Sequence, residues 1–266
     1  MPGLMLGDRY KVQRQLGKKS GRLTLLAYDR TTDDPVIIKL LVIDDELQPN
    51  DLKLFKREAD ALKLLCHPST PQYLDYFEID LPSDGRAMAL IQSYIKGSSL
   101  AECVKQGRIL SEAEAKHVAR ETLETLIYLH QLDPPIVHRD IRPNNILLAV
   151  GSEAGKPQVF LVDFGSVKSL SSGDTALTQV GMNGYMPPEQ AGGLALAVSD
   201  LYSLGATLIN AMTGVHPAAL QSGSLRINFE SVVNLSPDLS DWLKRLTEPS
   251  LDQRWTSARE ALDALG

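Results

Sequence analysis

The chain has 266 residues, 43% of them hydrophobic, and its 27 Lys and Arg against 33 Asp and Glu give a net charge of −6. That length supports a full core, in one large domain or two lobes, and the acidic balance argues against a nucleic-acid-binding protein, which carries a basic surplus. Two cysteines, Cys66 and Cys103, are too few for a disulfide framework, no apolar run reaches the roughly 18 residues that span a membrane, and the N-terminus lacks a signal-peptide pattern, so a cytoplasmic protein without a membrane segment is expected.

Strand signals come first, over residues 10–16, 23–28 and 35–42. Residues 51–66 then switch to helical period: Phe55, Ala59, Leu62 and Cys66 share a stripe, with Asp51 expected as N-cap. Two more strand-like runs follow at 72–78 and 87–95. After Gly97 the texture becomes helical. Ser111 and Glu114 form a capping box that opens an amphipathic helix over 111–130, with Val118, Leu123, Leu126 and Ile127 facing inward. Further helices are expected near 198–213, 237–247 and 256–265. The pattern predicts an α+β chain with a small β-rich lobe and a larger helical lobe; a single α+β domain is the alternative.

One residue breaks the third strand. In VIIKLL, residues 36–41, Lys39 sits inside a branched apolar run. An unpaired buried ammonium is costly, so a partner is required. Glu58, three residues after Phe55 and four before Leu62, falls on the inward face of the helix and is just as out of place. Pairing Lys39 with Glu58 resolves both, and a purely structural ion pair would satisfy that much.

The remaining motifs point further. Residues 137–148 read VHRDIRPNNILL, 162–165 read VDFG, 184–190 read GYMPPEQ, 199–205 read SDLYSLG and 252–255 read DQRW. In this order the series resembles the protein kinase family, from about Tyr10 to the C-terminus, and its phrasing is similar to bacterial-type serine/threonine kinases. The resemblance implies a bilobal protein-kinase-like fold, with an N-lobe over 8–92, a hinge at 93–97 and a C-lobe over 98–266. It implies an ATP- and Mg²⁺-dependent transfer of the γ-phosphate to a protein hydroxyl, with a nucleotide and a protein substrate as partners, and with signalling and autophosphorylation among its expected roles.

Residue by residue, the resemblance makes Asp140 the catalytic-loop aspartate that accepts the hydroxyl proton. Lys39 contacts the α- and β-phosphates and Glu58 orients it. Asn145 and Asp163 match the magnesium ligands, both hard oxygen donors. Leu16, Gly17, Thr24, Ile37 and Leu147 fall at positions that enclose the nucleotide, and Ser93 to Ile95 at the hinge that reads the adenine edge. His138 supports the loop, Asp200 braces it, and Glu189 with Arg254 matches a buried ion pair. Ser169, Ser171, Ser172, Thr175 and Thr178 lie in the activation segment, where a phosphate pairing with Arg139 would order the loop.

The pattern also departs from the family. LGKKSGRLTLLAYD, residues 16–29, keeps only the first glycine of the phosphate loop, Gly17. Lys19 and Arg22 stand where the second and third belong, and Gly21 lies one position early. Side chains there should stiffen the loop; their charges either attract phosphate or are ordinary solvated charges on a hairpin. Ile37 replaces the usual alanine, Arg142 the usual lysine two residues past the aspartate, Met182 a threonine, and Gln92 is an unusual gatekeeper. A pseudokinase acting as a nucleotide-binding or scaffolding module is therefore the alternative to an active enzyme. A small-molecule phosphotransferase is a third reading, disfavoured by Arg139, the complete DFG and the PPE segment.

Overall fold

Ten of the strand and helix elements follow from period alone, but their packing explains the misplaced lysine. The computed structural model describes residues 3–19, 21–81, 85–149, 156–169, 184–221, 223 and 225–266. They form two compact units, Met1–Ile95 and Lys96–Gly266.

The first unit is a six-stranded antiparallel sheet with one helix: β1 (Met5–Leu6), β2 (Tyr10–Lys19), β3 (Arg22–Asp29), β4 (Pro35–Ile43), α1 (Pro49–Leu64), β5 (Tyr73–Asp80) and β6 (Arg86–Ser93), in the sheet order β1-β2-β3-β4-β6-β5. Strand residues alternate between faces. Val36, Ile38 and Leu40 of β4 join Leu25, Ala27, Ala87, Ala89 and Ile91 in one apolar cluster. Ile37, Lys39 and Leu41 take the opposite face, and Ile37 and Leu41 are also buried. β4 is thus covered on both sides, which is why it reads as an unbroken apolar run around Lys39.

Helix α1 starts earlier than its pattern suggests. Gln48 is the N-cap and Pro49 the first helical residue, so Asp51 lies inside the first turn rather than at the cap. Proline's fixed φ suits that first position and moves the start. Phe55, Ala59 and Leu62 are buried as expected, whereas Cys66 lies beyond the helix and is exposed. The apolar stripe ends with the helix.

The second unit comprises β7 (Gly97–Ser99), α2 (Leu100–Lys105), α3 (Glu112–Gln131), β8 (Ile136–Val137), β9 (Ile146–Ala149), β10 (Gln158–Leu161), β11 (Lys168–Ser169), α4 (Pro188–Ala191), α5 (Ala197–Thr213), α6 (Pro217–Leu220), α7 (Pro237–Leu246) and α8 (Ala258–Leu265). The capping box at Ser111 and Glu114 is formed, and Ser99 with Glu102 makes a second one at α2. In α5 every residue from Ser199 to Met212 is buried. A helix buried all round is the centre of its unit.

Gly205 of α5 shows how close that packing is. A Cβ there would lie 2.6 Å from Thr247 Cγ2 and 2.9 Å from Leu246 Cβ, at the end of α7. Gly205→Ala is therefore expected to destabilise by about 1–3 kcal/mol despite alanine's better helix propensity, measured as a lower urea midpoint. No helix among the described residues is long and apolar enough to cross a membrane.

Candidate active site

Lys39 and Glu58 meet within the first unit. Lys39 Nζ pairs with Glu58 Oε1, with only 15% and 3% of their side chains exposed. A strand residue and a helix residue 19 positions apart thus share one buried ion pair. Around it, register places Thr24 opposite both Gly17 and Lys39, and Ile37 opposite both Leu26 and Gln92. Leu16 falls at a register shift between Gln15 and Gly17 and is 39% exposed. Gln92 is buried. The Ser93 N–H donates to the Gln72 carbonyl at 3.0 Å, and Ser93 Oγ accepts from Gln72 N at 2.9 Å.

In the second unit the loop after β8 is held from beneath by Asp200, a fully buried residue of α5. Its Oδ2 accepts from the His138 N–H and its Oδ1 from the Arg139 N–H, both at 2.9 Å. His130 Nε2 lies 3.0 Å from the same Oδ2. Arg139 has φ 69°, a left-handed conformation that a long side chain adopts only when its surroundings impose it. The Asp200 carboxylate does so from one side of that residue, and Gln190 Nε2, donating to Arg139 O at 2.8 Å, from the other.

His138 is buried and acts as a strut. Its Nδ1 accepts from the Asp140 N–H at 3.4 Å, its Nε2 faces the Val162 carbonyl at 3.2 Å, and its ring meets Phe164 edge-on at 5.0 Å. These contacts assign the ring proton to Nε2.

Asp140 is oriented by Asn145. The Asn145 amide nitrogen donates to Asp140 O at 2.7 Å and to Asp140 Oδ2 at 2.9 Å. The β9–β10 register, Ile146 opposite Leu161, then sets Asn145 beside Val162, whose N–H donates to Asn145 O at 2.9 Å. Asp163 follows directly, with φ 67°, and turns the chain into the short 3-10 segment Phe164–Ser166. Burial raises the Asp140 carboxyl above the usual aspartate range, and the Asp163 carboxylate adds to this; His138, Arg142 and the Asn145 hydrogen bond pull the other way.

Asn145 and Asp163 suit a hard divalent cation. With the Asn145 nitrogen committed to Asp140, its Oδ1 is the atom left to coordinate, and Asp163 brings a carboxylate. Among the described residues no group of three or more His, Cys, Asp or Glu could hold a metal; Mg²⁺ is commonly bound through few protein oxygens, with phosphates and waters filling its octahedron. Arg142 Nε is buried with no hydrogen-bond partner among the described residues. Tyr185, whose hydroxyl burial pushes up to about 12, lies within electrostatic reach of Arg142. Leu147 is half-buried in β9, opposite Ser99 and Phe160. Met182, Ser171, Ser172, Thr175 and Thr178 lie outside the described residues.

The family model for the protein kinase domain matches residues 10–264. The chain belongs to the protein kinase family. This kinase domain is 32% identical over 280 residues to serine/threonine-protein kinase B of Synechocystis sp. and 34% identical over 279 residues to serine/threonine-protein kinase PknA of Nostoc sp.; each match covers 98% of this chain and 47% of the relative. It is 30% identical over 258 residues to serine/threonine-protein kinase PknA of Mycobacterium tuberculosis, covering 94% of this chain and 58% of that protein. The kinase domain thus spans about half the length of the curated relatives it matches.

Two supports of the loop in this kinase domain, His130 and Gln190, escape the sequence reading. His130 had a signal. It follows Leu126 and Ile127 by four and three positions on the inward stripe of α3, and a polar residue on an apolar stripe demands a partner, as Glu58 does. Gln190 had none, because its partner is a backbone carbonyl 51 residues away.

Proposed function

We propose that this chain transfers the γ-phosphate of ATP to serine or threonine hydroxyls of proteins, with Mg²⁺ as cofactor. The observation that carries the reading is the Asp140–Asn145 arrangement, in which one asparagine orients the proposed base with its nitrogen and keeps its oxygen for the cation. The charged groups that phosphoryl transfer needs are present: Lys39 is paired with Glu58, Asp140 is held by Asn145, and Asp163 and Arg142 supply the remaining charges.

In this reading Lys39, oriented by Glu58, holds the α- and β-phosphates. Asn145 and Asp163 would hold Mg²⁺, which when bound neutralises charge on the phosphate oxygens. Asp140 takes the proton of the attacking hydroxyl. Arg142 brings a fixed positive charge and a planar donor fork to the γ-phosphate in place of an ammonium. The nucleotide's base and sugar fall to Leu16, Gly17, Thr24, Ile37 and Leu147, and to the hinge at 93–97. The Ser93 N–H is already engaged with Gln72, and the kinase resemblance places the backbone groups that read the adenine edge within Ser93 to Ile95. We assign residues 8–92 and 98–266 to the two lobes of the kinase. Two cysteines, Cys66 and Cys103, too few for a disulfide framework, suit a reducing compartment, and the cytoplasm is the one we propose.

The test is phosphate incorporation into a peptide library containing Ser, Thr and Tyr acceptors. Phosphoserine and phosphothreonine are expected; phosphotyrosine alone would contradict the proposed specificity. The base also sets a pH dependence. Asp140 works only when deprotonated, and its carboxyl is raised above the ordinary range. Activity should therefore fall, as pH is lowered, at a higher pH than an unperturbed aspartate would give, read as the acid limb of kcat/KM. A limb at the ordinary aspartate position would mean that Asp140 is not the titrating group.

A further inference from the structure

Arg22 stands where a phosphate-loop glycine belongs, and its guanidinium is engaged elsewhere. Arg22 Nη2 lies 3.4 Å from the Asp51 carbonyl and 3.5 Å from Asp51 Oδ1. The two side chains are 30% and 41% exposed. Asp51 is in the first turn of α1, where a carboxylate also suits the helix dipole.

This contact belongs to a larger pattern. Asp51, Phe55 and Glu58 are spaced i, i+4 and i+7, so they lie on one stripe of α1. On the sheet, Arg22 and Thr24 share a face of β3, and Thr24 pairs in register with Lys39. Arg22 and Lys39 therefore rise from one face of the sheet to one stripe of the helix. Lys39–Glu58 is one rung and Arg22–Asp51 a second, about 10 Å further along the helix axis at 1.5 Å per residue. Phe55 is buried between them.

The hairpin that carries Arg22 is itself fixed. β2 and β3 pair out to Lys18–Leu23 and Lys19–Arg22. Beyond that ladder the Gly21 carbonyl accepts from the Val42 N–H at 2.8 Å, with Gly21 at φ +64°. The turn is thus tied to the far end of β4, and its arginine to α1.

We propose that Arg22 is a positioning residue: with Asp51 it forms a second sheet-to-helix ion pair that fastens α1 with Glu58 against Lys39, and links the phosphate-loop hairpin to that helix. The proposal deepens the kinase reading given above and rests on it for its kinetic consequence. The arginine then supports the site by holding the helix, and its charge is not directed at the nucleotide. A half-exposed pair is individually weak, so the effect is modest and lies in how often α1 is correctly seated.

The test compares Arg22→Gln, Asp51→Asn and the double variant. Each single variant should lower kcat by about two- to fivefold, with the KM for ATP within about twofold of wild type. The double variant should lose no more than the single ones, because both remove the same rung. If Arg22 contacts phosphate instead, Arg22→Gln raises the KM for ATP while Asp51→Asn leaves kcat unchanged, and the proposal is overturned. Hydrogen–deuterium exchange without nucleotide gives a second readout. Amides at 16–24 and 49–58 should exchange faster in both single variants, and unchanged exchange overturns the proposal. A wild-type protein that transfers no phosphate would fail the kinase reading, and the exchange result would still decide the role of Arg22.

Discussion

Asp140→Asn is expected to lower kcat by at least about 10²-fold, the scale of a positioned acid–base group, while ATP affinity stays within a few-fold of wild type. The substitution is close to isosteric. The backbone contacts that shape the loop, from His138 and Arg139 to Asp200 and from Asp140 N to His138, do not involve the side chain that changes. The Asn145 amide can still donate to the side-chain oxygen of an asparagine. What disappears is the proton acceptor and its charge. A drop in kcat and in kcat/KM by the same factor marks an interaction made in the transition state alone. A rise in KM with kcat intact would mean that Asp140 only binds substrate.

The largest expected effect on stability is at Glu189. The Arg254 side chain is wholly buried and pairs with Glu189 at two points, Nη1 to Oε1 at 2.7 Å and Nη2 to Oε2 at 3.2 Å. Backbone carbonyls of Glu248 and Val198 accept from the same guanidinium at 2.9 and 3.0 Å. The Ser199 hydroxyl donates to Glu189 Oε1 at 2.8 Å. Glu189→Ala leaves the guanidinium buried without its counter-charge, and a loss of about 3–5 kcal/mol is expected. Replacing both partners, Glu189→Leu with Arg254→Met, should cost less than Glu189→Ala alone, because no orphaned charge remains. Urea unfolding of the three proteins tests that order. If the double variant is the least stable, the pair contributes favourably beyond cancelling its own desolvation.

Much of this was legible in the sequence, for identifiable reasons. The capping box at Ser111 and Glu114 depends on four consecutive residues and forms as its spacing predicts. Lys39 and Glu58 each contradict their own apolar pattern, so each announces a missing partner, and they meet. The ordered kinase motifs carry the family and the fold. Local pattern failed where the deciding contact is remote or the conformation unusual. The start of α1 moved because Pro49 outweighs Asp51 as a helix opener. Short elements such as α2, α6 and β11 have too few residues to show a period. The left-handed backbone at Arg139 is fixed by Asp200, 61 residues away. The sequence also left two readings of Arg22 open, because Asp51 becomes its neighbour only after the sheet and α1 have packed.

The central claim, that this chain moves phosphate from ATP, is tested most directly by intact mass after incubation with ATP and Mg²⁺, beside Asp140→Asn and with a generic protein acceptor present. Added mass in phosphate units is expected on the chain or the acceptor, and is absent with the Asp140→Asn variant. Equal phosphate in both proteins, or none in either while ATP binding is retained, would contradict it and leave a nucleotide-binding module on a kinase fold.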